Sequence, residues 1–194
     1  MKRILVTGFG PFGSYKVNPT EDLVKGFKGP FVIGHYVFPT SYDSVRDELP
    51  ELLIRTKPDA VIAFGLAPRA TAIRLECVAR HKSTSQQVDV NGQAWTGPID
   101  ECAPEYLPST LPLESIALAL NGLSIVYEVS NNAGGYVCNY LFYLLQENAR
   151  NLGITVTGLI HVPDPALYKR RHGVDLDLNS LIEVVYGEVS KLKT

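Results

Sequence analysis

Short runs of apolar, often β-branched residues alternate along the chain with longer segments that mix apolar and polar residues at helical spacing. The short runs are typical of buried strands, and the longer segments are typical of helices with one apolar face. Strands are predicted at residues 3–7, 31–38, 59–65, 71–79, 123–129 and 155–162, and helices at 42–56, 113–122, 136–150 and 177–192. This alternation predicts an α/β fold in which a mostly parallel sheet carries helices on both faces.

Local signals place one more helix and two irregular features. Asn18 is a suitable N-cap for a helix that has Pro19 in its first turn and Glu21 three positions after the cap. Pro50 is expected to kink or divide the helix at 42–56. Residues 82–110 show no strong periodicity and are predicted to be a long, partly looped excursion.

Length and composition indicate one globular domain spanning residues 1–194, with 45% apolar and 20% charged residues. The net charge of −2 and the lack of a basic cluster argue against a nucleic-acid surface. No apolar run has the length of a signal peptide or a membrane span, so neither a membrane association nor secretion is expected.

The cysteine and histidine residues do not form a metal or disulfide pattern. Cys77, Cys102 and Cys138 are an odd set without C-x-x-C spacing, and the histidines are scattered. We therefore expect a reduced, cytosolic protein without a bound metal.

The glycine-rich stretch Gly8–Gly13 matches G-x-G-x-x-G and follows a predicted strand, as in dinucleotide-binding proteins. Pro11, however, lacks the N–H that a phosphate would need, and residues 31–38 contain no acid for a ribose. A nucleoside- or phosphate-binding protein is therefore kept only as an alternative. Phe9 and Phe12 fit the wall of an apolar pocket or, equally well, the core.

Cys138 stands in the first turn of a predicted helix, after a strand and a turn at 131–135. This strand–turn–helix arrangement resembles a nucleophile elbow, and a helix N-terminus favours a thiolate and supplies N–H groups to an oxyanion. A free cysteine is also a common packing residue. The position alone leaves both readings open.

Two further side chains fit the same chemistry. His161 ends a predicted strand at the sheet edge where α/β proteins place their ligands, and this strand is expected to neighbour the strand before Cys138. Such a histidine accepts the thiol proton and later protonates a leaving amine. Glu76, an acid within a strand-like run, is a candidate for orienting the imidazole. Cys77 is expected in the core, and Cys102 in a loop without a role.

The chain resembles the pyrrolidone carboxyl peptidases (pyroglutamyl peptidase I), a family of cysteine peptidases. The resemblance rests on "TGFGPFG" with "NPTE", "FPT", "KPDAVIAFGLAP", "STLPLE", "SNNAGGYVCNYLFY" and "GLIHVP", which occur in family order almost from end to end. It implies a flavodoxin-like three-layer α/β/α sandwich, no cofactor, a cytosolic location and a homotetramer. The implied reaction is the release of N-terminal pyroglutamate (5-oxoproline) from peptides.

The resemblance also implies roles for individual residues. It makes Cys138 the nucleophile, His161 the base and Glu76 the orienting acid. It places Phe9, Phe12, Thr40, Ile73, Tyr136 and Val137 around the lactam ring of the substrate. Tyr136 stands where phenylalanine is common, so its hydroxyl is expected to need a partner.

The region around Glu76 departs from the family pattern. Arg69-Ala70 stands where Gly-Arg is usual, Arg74 replaces Ser or Thr, Cys77 replaces Lys or Arg, and His81 replaces Asn. Residues 82–110 also diverge from the family. Asp89 and Gly92 are what remains there of the family's "D-x-x-G" segment. Arg74 is expected either to pair with Glu76 or to replace the missing arginine. These changes motivate a second alternative, a catalytically impaired relative that binds N-blocked peptides.

Overall fold

The computed structural model describes residues 3–83, 85–99 and 104–192, and within them the strands and helices alternate as predicted. The longer strands are β1 (Ile4–Phe9), β2 (Val32–Phe38), β3 (Ala60–Ala67), β4 (Ile73–Glu76), β9 (Tyr127–Ser130) and β10 (Val156–Pro163). Short strands within and beside the excursion are β5 (Val78–Arg80), β6 (Lys82–Ser83), β7 (Gly97–Pro98) and β8 (Tyr106–Pro108). The helices are α1 (Pro19–Gly26), α2 (Tyr42–Thr56), α3 (Leu113–Gly122), α4 (Val137–Leu152), α5 (Pro165–His172) and α6 (Leu178–Lys191).

The six longer strands form one sheet in the order β2-β1-β3-β10-β4-β9. All neighbouring pairs are parallel except β10 and β4, which run antiparallel. The carboxyl ends of β1, β3 and β10 therefore lie at one edge of the sheet, and the loops that follow them open onto the same space.

Apolar residues pack against both faces of the sheet. One core joins α1, α3 and α6 to the face that carries Ile4, Ile62 and Ile160. The other core joins α2 and α4 to the face that carries Leu5, Val61 and Leu159. Because successive strand residues point to opposite faces, β1, β3 and β10 contribute to both cores and read as continuous apolar runs. This is the three-layer α/β/α sandwich predicted from the sequence.

Several local predictions need correction. Helix α2 continues through Pro50 and is not divided. The run at 71–79 is two strands, β4 and β5, separated at Cys77, which is half-buried rather than in the core. Helix α5 was not predicted because its mean character is polar, although Asp164 caps it by accepting hydrogen bonds from Ala166 N and Leu167 N.

The expected pairing of the strands that lead to Cys138 and His161 is wrong. Strand β4 lies between β9 and β10, so these two strands are not neighbours. Consecutive strands in the sequence are frequently adjacent, but a third strand from a distant part of the chain enters here. The insertion places Glu76 between the elements that carry the other two candidate residues.

Candidate active site

A cavity of about 710 Å³ opens at the sheet edge formed by the ends of β1, β3 and β10. Its walls combine apolar and polar residues: Phe9, Phe12, Tyr15, Asn18, Thr40, Leu66, Ala67, Pro68, Arg69, Ala70, Arg74, Ser85, Gln87, Asn132, Ala133, Gly134, Gly135, Tyr136, Cys138 and His161. No Asp or Glu side chain is among these lining residues, whereas Arg69 and Arg74 are.

Cys138 enters the cavity from the first turn of α4. The N-cap Tyr136 makes no side-chain hydrogen bond to that turn, so it does not occupy the N–H groups there. The next residue, Asn139, is fully buried and holds the helix start in place: its Oδ1 accepts from Arg80 N at 3.0 Å and its Nδ2 donates to Arg80 O at 2.8 Å. Asn139 belongs to the motif "SNNAGGYVCNYLFY", but no role was predicted for it.

His161 reaches the thiol from β10, next to a residue of β3 that has no side chain. Its side chain lies beside that of Cys138, and only 5% of the residue is exposed. In the sheet register His161 lies beside Gly65. A Cβ atom at Gly65 would lie 2.9 Å from His161 Nε2 and 3.0 Å from Cys138 Sγ, so the absence of a side chain leaves room for both.

Glu76 contacts the other nitrogen of the imidazole. Its Oε1 lies 2.8 Å from His161 Nδ1, and the glutamate is fully buried. The carboxylate therefore favours a proton on Nδ1 and leaves Nε2 toward the thiol. The structure thus brings Cys138, His161 and Glu76 together in one chain of interacting side chains, with a hydrogen bond between the imidazole and the carboxylate.

The charges in this chain shift two pKa values. Burial lowers the pKa of His161, but the hydrogen bonds and charges of Cys138 and Glu76 outweigh it and raise the pKa to about 9. Burial raises the pKa of Glu76, but His161, Ser130 and Arg74 together bring it below its ordinary value. Both shifts favour an imidazolium paired with an ionised carboxylate at neutral pH.

The divergent residues around Glu76 have different environments. Arg74 pairs with Glu76, with its Nε 3.1 Å from Glu76 Oε1. Arg69 is exposed on the cavity wall, and Ala70 N donates to Ala67 O in the turn that carries it. Cys77 lies between β4 and β5, with a pKa raised by burial and by the charge of Glu76. His81 packs its ring against Tyr143.

Four of the six residues predicted around a lactam ring line the cavity, namely Phe9, Phe12, Thr40 and Tyr136. The other two do not line it. Ile73 is fully buried in the opposite core, because Ile73 and Leu75 point to one face of β4 while Arg74 and Glu76 point to the other. Val137 is fully buried beneath the start of α4.

One wall of the cavity comes from a segment that the sequence analysis treated as irregular. The Tyr136 hydroxyl donates to Val88 O at 2.9 Å, which supplies the partner it was expected to need. On the other side, Asp89 is buried and its carboxylate accepts from the main-chain N–H groups of Tyr42, Asn91 and Gln93. These bonds connect residues 88 and 89 to the start of α2 and the start of α4, next to Ser85 and Gln87 of the cavity wall. In the sequence, the only signal for the role of this segment was Asp89 and Gly92, the remnant of the family's "D-x-x-G".

Three N–H groups of the glycine-rich stretch Gly8–Gly13 donate to acceptors within the protein. Phe9 N donates to Thr20 Oγ1, Gly10 N to Phe38 O and Phe12 N to Tyr15 O, while Pro11 has no N–H. A phosphate would find these donors already engaged. The arrangement therefore argues against the nucleoside- or phosphate-binding alternative.

We expect Gly65→Ala to reduce activity by at least about 100-fold, because the added methyl group would displace the His161 ring or the Cys138 thiol. A steady-state assay of the purified variant checks this, with circular dichroism to confirm folding. Gly34→Ala is the matched control: it adds the same methyl group to another strand of the sheet, where the nearest atom, Leu5 Cδ1, is at 3.5 Å. Near-normal activity of Gly65→Ala would mean that the close packing is not required.

We expect part of the acid sensitivity of the fold to come from Glu76. Its pKa is lowered from 4.5 in the folded protein, so the carboxylate stabilises the fold above that value and this contribution is lost as the pH falls through the lowered pKa. Urea unfolding between pH 5 and pH 3 should therefore show a shallower loss of unfolding free energy in Glu76→Gln than in the wild type. Identical slopes would contradict the assignment.

Neither a metal cluster nor a membrane-crossing helix is found in the described part of the chain. Among residues 3–83, 85–99 and 104–192, no group of three His, Cys, Asp or Glu side chains is placed to hold a metal ion. Within the same ranges, no helix combines the length and apolar character that a bilayer span requires. Cys102 lies outside the described residues.

The chain is similar to known proteins in both sequence and fold. Residues 2–175 match the family model for pyroglutamyl peptidase. The pyrrolidone-carboxylate peptidase of Thermococcus kodakarensis is 34% identical over 203 residues, covering 97% of this chain and 98% of the relative. That of Pyrococcus furiosus is 36% identical over 167 residues, covering 83% and 80%.

Solved structures give the same result. The pyrrolidone carboxyl peptidase from Thermococcus litoralis superposes with a TM-score of 0.86 at 31% identity, covering 98% of this chain and 92% of that chain. A mutant pyrrolidone carboxyl peptidase from Pyrococcus furiosus superposes with a TM-score of 0.85 at 32% identity, covering 96% of each chain.

Proposed function

Because the chain belongs to the pyroglutamyl peptidase family, we propose that it removes N-terminal pyroglutamate from peptides with Cys138 as nucleophile, His161 as general acid–base and Glu76 as orienting acid. The observation that carries this proposal is the imidazole that is hydrogen-bonded to a fully buried carboxylate and lies beside the thiol. The retained thiol and imidazole argue against the impaired relative. We also propose that the chain is a single domain with no cofactor in the reaction.

The cavity walls suit a flat, neutral lactam ring. The Phe12 and Tyr136 rings lie next to each other, with centroids 6.0 Å apart and planes tilted by 43°, and the buried Phe9 lines the same cavity. Thr40 Oγ1 donates to Gly10 O and so fixes the loop that carries Phe12. A substrate without a free α-amine needs no carboxylate to bind it, which agrees with the absence of acids from the lining residues. We assign this apolar part of the cavity to the pyroglutamyl ring.

The proposed reaction has two steps. In the first, the Cys138 thiolate attacks the pyroglutamyl carbonyl carbon while N–H groups of the first turn of α4 stabilise the oxyanion. The C–N bond then breaks, and the imidazolium of His161 donates its Nε2 proton to the leaving amine. In the second, His161 accepts a proton from water, which attacks the thioester and releases pyroglutamate and the thiolate. Glu76 stabilises the imidazolium whenever His161 is protonated.

A paired assay tests this function. The reduced protein is incubated with a chromogenic pyroglutamyl amide and with the matching prolyl amide, with and without iodoacetamide. Turnover of the pyroglutamyl substrate alone, abolished by iodoacetamide, is the expected result. An absence of turnover by folded, reduced protein would contradict the peptidase and favour a binding protein, which equilibrium binding of a pyroglutamyl peptide would then detect.

We further propose that the protein works in the cytosol as a homo-oligomer, with a tetramer as the expected state. The described cysteines, Cys77 and Cys138, are both free thiols, as the proposed chemistry requires for Cys138. Apolar side chains are exposed near the β9 edge of the sheet at Leu123, Val126 and Val129, which supports self-association there. Light scattering after size exclusion tests the oligomer, and a monomer would contradict it.

A further inference from the structure

The guanidinium of Arg74 lies in the wall of the same cavity and is directed at protein acceptors. Its Nε donates to Glu76 Oε1 at 3.1 Å, and its Nη1 lies 2.9 Å from Oε1 of Glu128. Its Nη2 donates to Ser130 Oγ at 2.7 Å and to Asn132 O at 3.1 Å. Every nitrogen of the planar group therefore has a partner within the protein, which favours a role toward the protein rather than toward the substrate.

The Glu76 carboxylate needs Arg74 as a second cationic partner because its first partner, His161, changes charge during the proposed reaction. Its Oε1 accepts from both His161 and Arg74. In the proposed mechanism His161 gives its proton to the leaving amine and is then neutral. A fully buried carboxylate without a cationic partner is strongly destabilised. Arg74 does not deprotonate, so it leaves Glu76 paired at every stage.

The same guanidinium also holds the turn that leads to the nucleophile. Ser130 ends β9, and Asn132 lies in the turn between β9 and α4. Asn132 N and Arg74 both donate to Ser130 Oγ, and Asn132 Oδ1 accepts from Gly134 N. Arg74 therefore connects the backbone that precedes Cys138 to the carboxylate that contacts His161.

We propose that Arg74 is a positioning residue that fixes the Glu76 carboxylate and the 130–132 turn relative to each other, and so sets the charge and orientation of the Cys138–His161 pair. This role rests on the proposed peptidase function. Position 74 departs from the family pattern, and this role gives it a specific task, which is to support the Glu76 carboxylate. Arg74 performs that task without contacting the reacting atoms.

The charges around Glu76 define how the loss of Arg74 would be observed. The groups that face it are Arg74 on its own strand, His161 on β10, Glu128 on β9, the Cys138 thiol beyond His161, and Cys77. Removing a cation from this set favours the protonated forms of both Glu76 and His161. Both limbs of the pH–rate profile should therefore move to higher pH. A merely structural defect would lower the rate equally at all pH values.

The first test compares Arg74→Ala, Arg74→Lys and the matched control Arg69→Ala across pH 4–10 with a pyroglutamyl amide. Arg69 is another arginine of the cavity wall, with no contact to Glu76 among the described residues. We expect Arg74→Ala to lower kcat about 10- to 100-fold and to move both limbs upward by about one pH unit. Arg74→Lys should restore part of each effect, and Arg69→Ala should keep the wild-type limbs. Unshifted limbs, or a change confined to KM, would overturn the proposal.

The second test does not require the peptidase reaction. The rate at which iodoacetamide alkylates Cys138 is measured against pH by peptide mapping in a Cys77→Ser background, with and without Arg74→Ala. The rise in rate should move to higher pH when Arg74 is absent. If the alkylation profile shifts but the parent protein shows no peptidase turnover, the proposed function is contradicted and the role of Arg74 is supported. If the parent protein turns over the substrate but the profile does not shift, the proposed function is supported and the role of Arg74 is contradicted. If Arg74→Ala does not fold, Arg74→Lys gives the same comparison with a smaller shift.

Discussion

Cys138→Ser should lose activity toward a pyroglutamyl amide by at least about 10⁴-fold, because a serine hydroxyl in this position is a far weaker nucleophile than a thiolate paired with His161. The replacement is nearly isosteric, and the first turn of α4 remains anchored by Asn139, so folding should be preserved. Steady-state kinetics and an active-site titration with iodoacetamide measure the loss.

Cys77→Ser is the matched control for this prediction. The Cys77 thiol contacts Leu75 O at 3.9 Å and does not line the cavity, so the substitution should change kcat/KM by about twofold or less. Cys102→Ser is expected to behave in the same way. An equal loss of activity in all of these variants would show that the thiols matter for packing and that Cys138 is not the nucleophile.

Glu76→Gln should lower kcat/KM by about 10³- to 10⁴-fold while leaving the fold in place. A neutral amide does not stabilise the imidazolium of His161, and it permits the wrong tautomer, which has an effect of this size in other triads. The fall should appear mainly in kcat, because Glu76 is fully buried and does not line the cavity. Stopped-flow measurement of acylation and steady-state kinetics across pH separate the effect on kcat from the effect on KM.

Glu128→Gln tests whether the charge or the contact with His161 matters. Glu128 pairs with the same arginine, at 2.9 Å from Arg74 Nη1, but its side chain is 50% exposed. Exposed ion pairs contribute little, so we expect a change within about threefold. If the two glutamine variants lost activity equally, Glu76 would be one of several interchangeable partners of Arg74 and not the orienting acid.

The sequence predicted the alternation of strands and helices because the signals are local. Apolar runs such as 59–65 identify buried strands, and Asn18 with Pro19 identifies a helix start. Strand order is not local. Nothing in residues 71–79 indicates that β4 enters between β9 and β10, parallel to β9 and antiparallel to β10, since that placement depends on packing over distant parts of the chain.

The site could be predicted to a similar extent. The helix start before Cys138 and the strand end at His161 are local features, and the family resemblance pointed to Glu76. The resemblance misplaced Ile73 because strand alternation decides which side chains reach the cavity, and Ile73 points to the face opposite Arg74 and Glu76. The partners of Arg74, and the contacts of residues 85–93 with the starts of α2 and α4, could be identified only from the three-dimensional structure.

The hydrogen bond between Glu76 and His161 joins residues that are 85 positions apart, and it forms on the last strand of the sheet to be synthesised. Such distant contacts form slowly, since a long loop must close before they stabilise the chain. A nascent chain that ends before β10 contains Cys138 but no imidazole beside it. Peptidase activity should therefore appear only when the sheet is complete, which makes catalysis a sensitive probe of the last stage of folding.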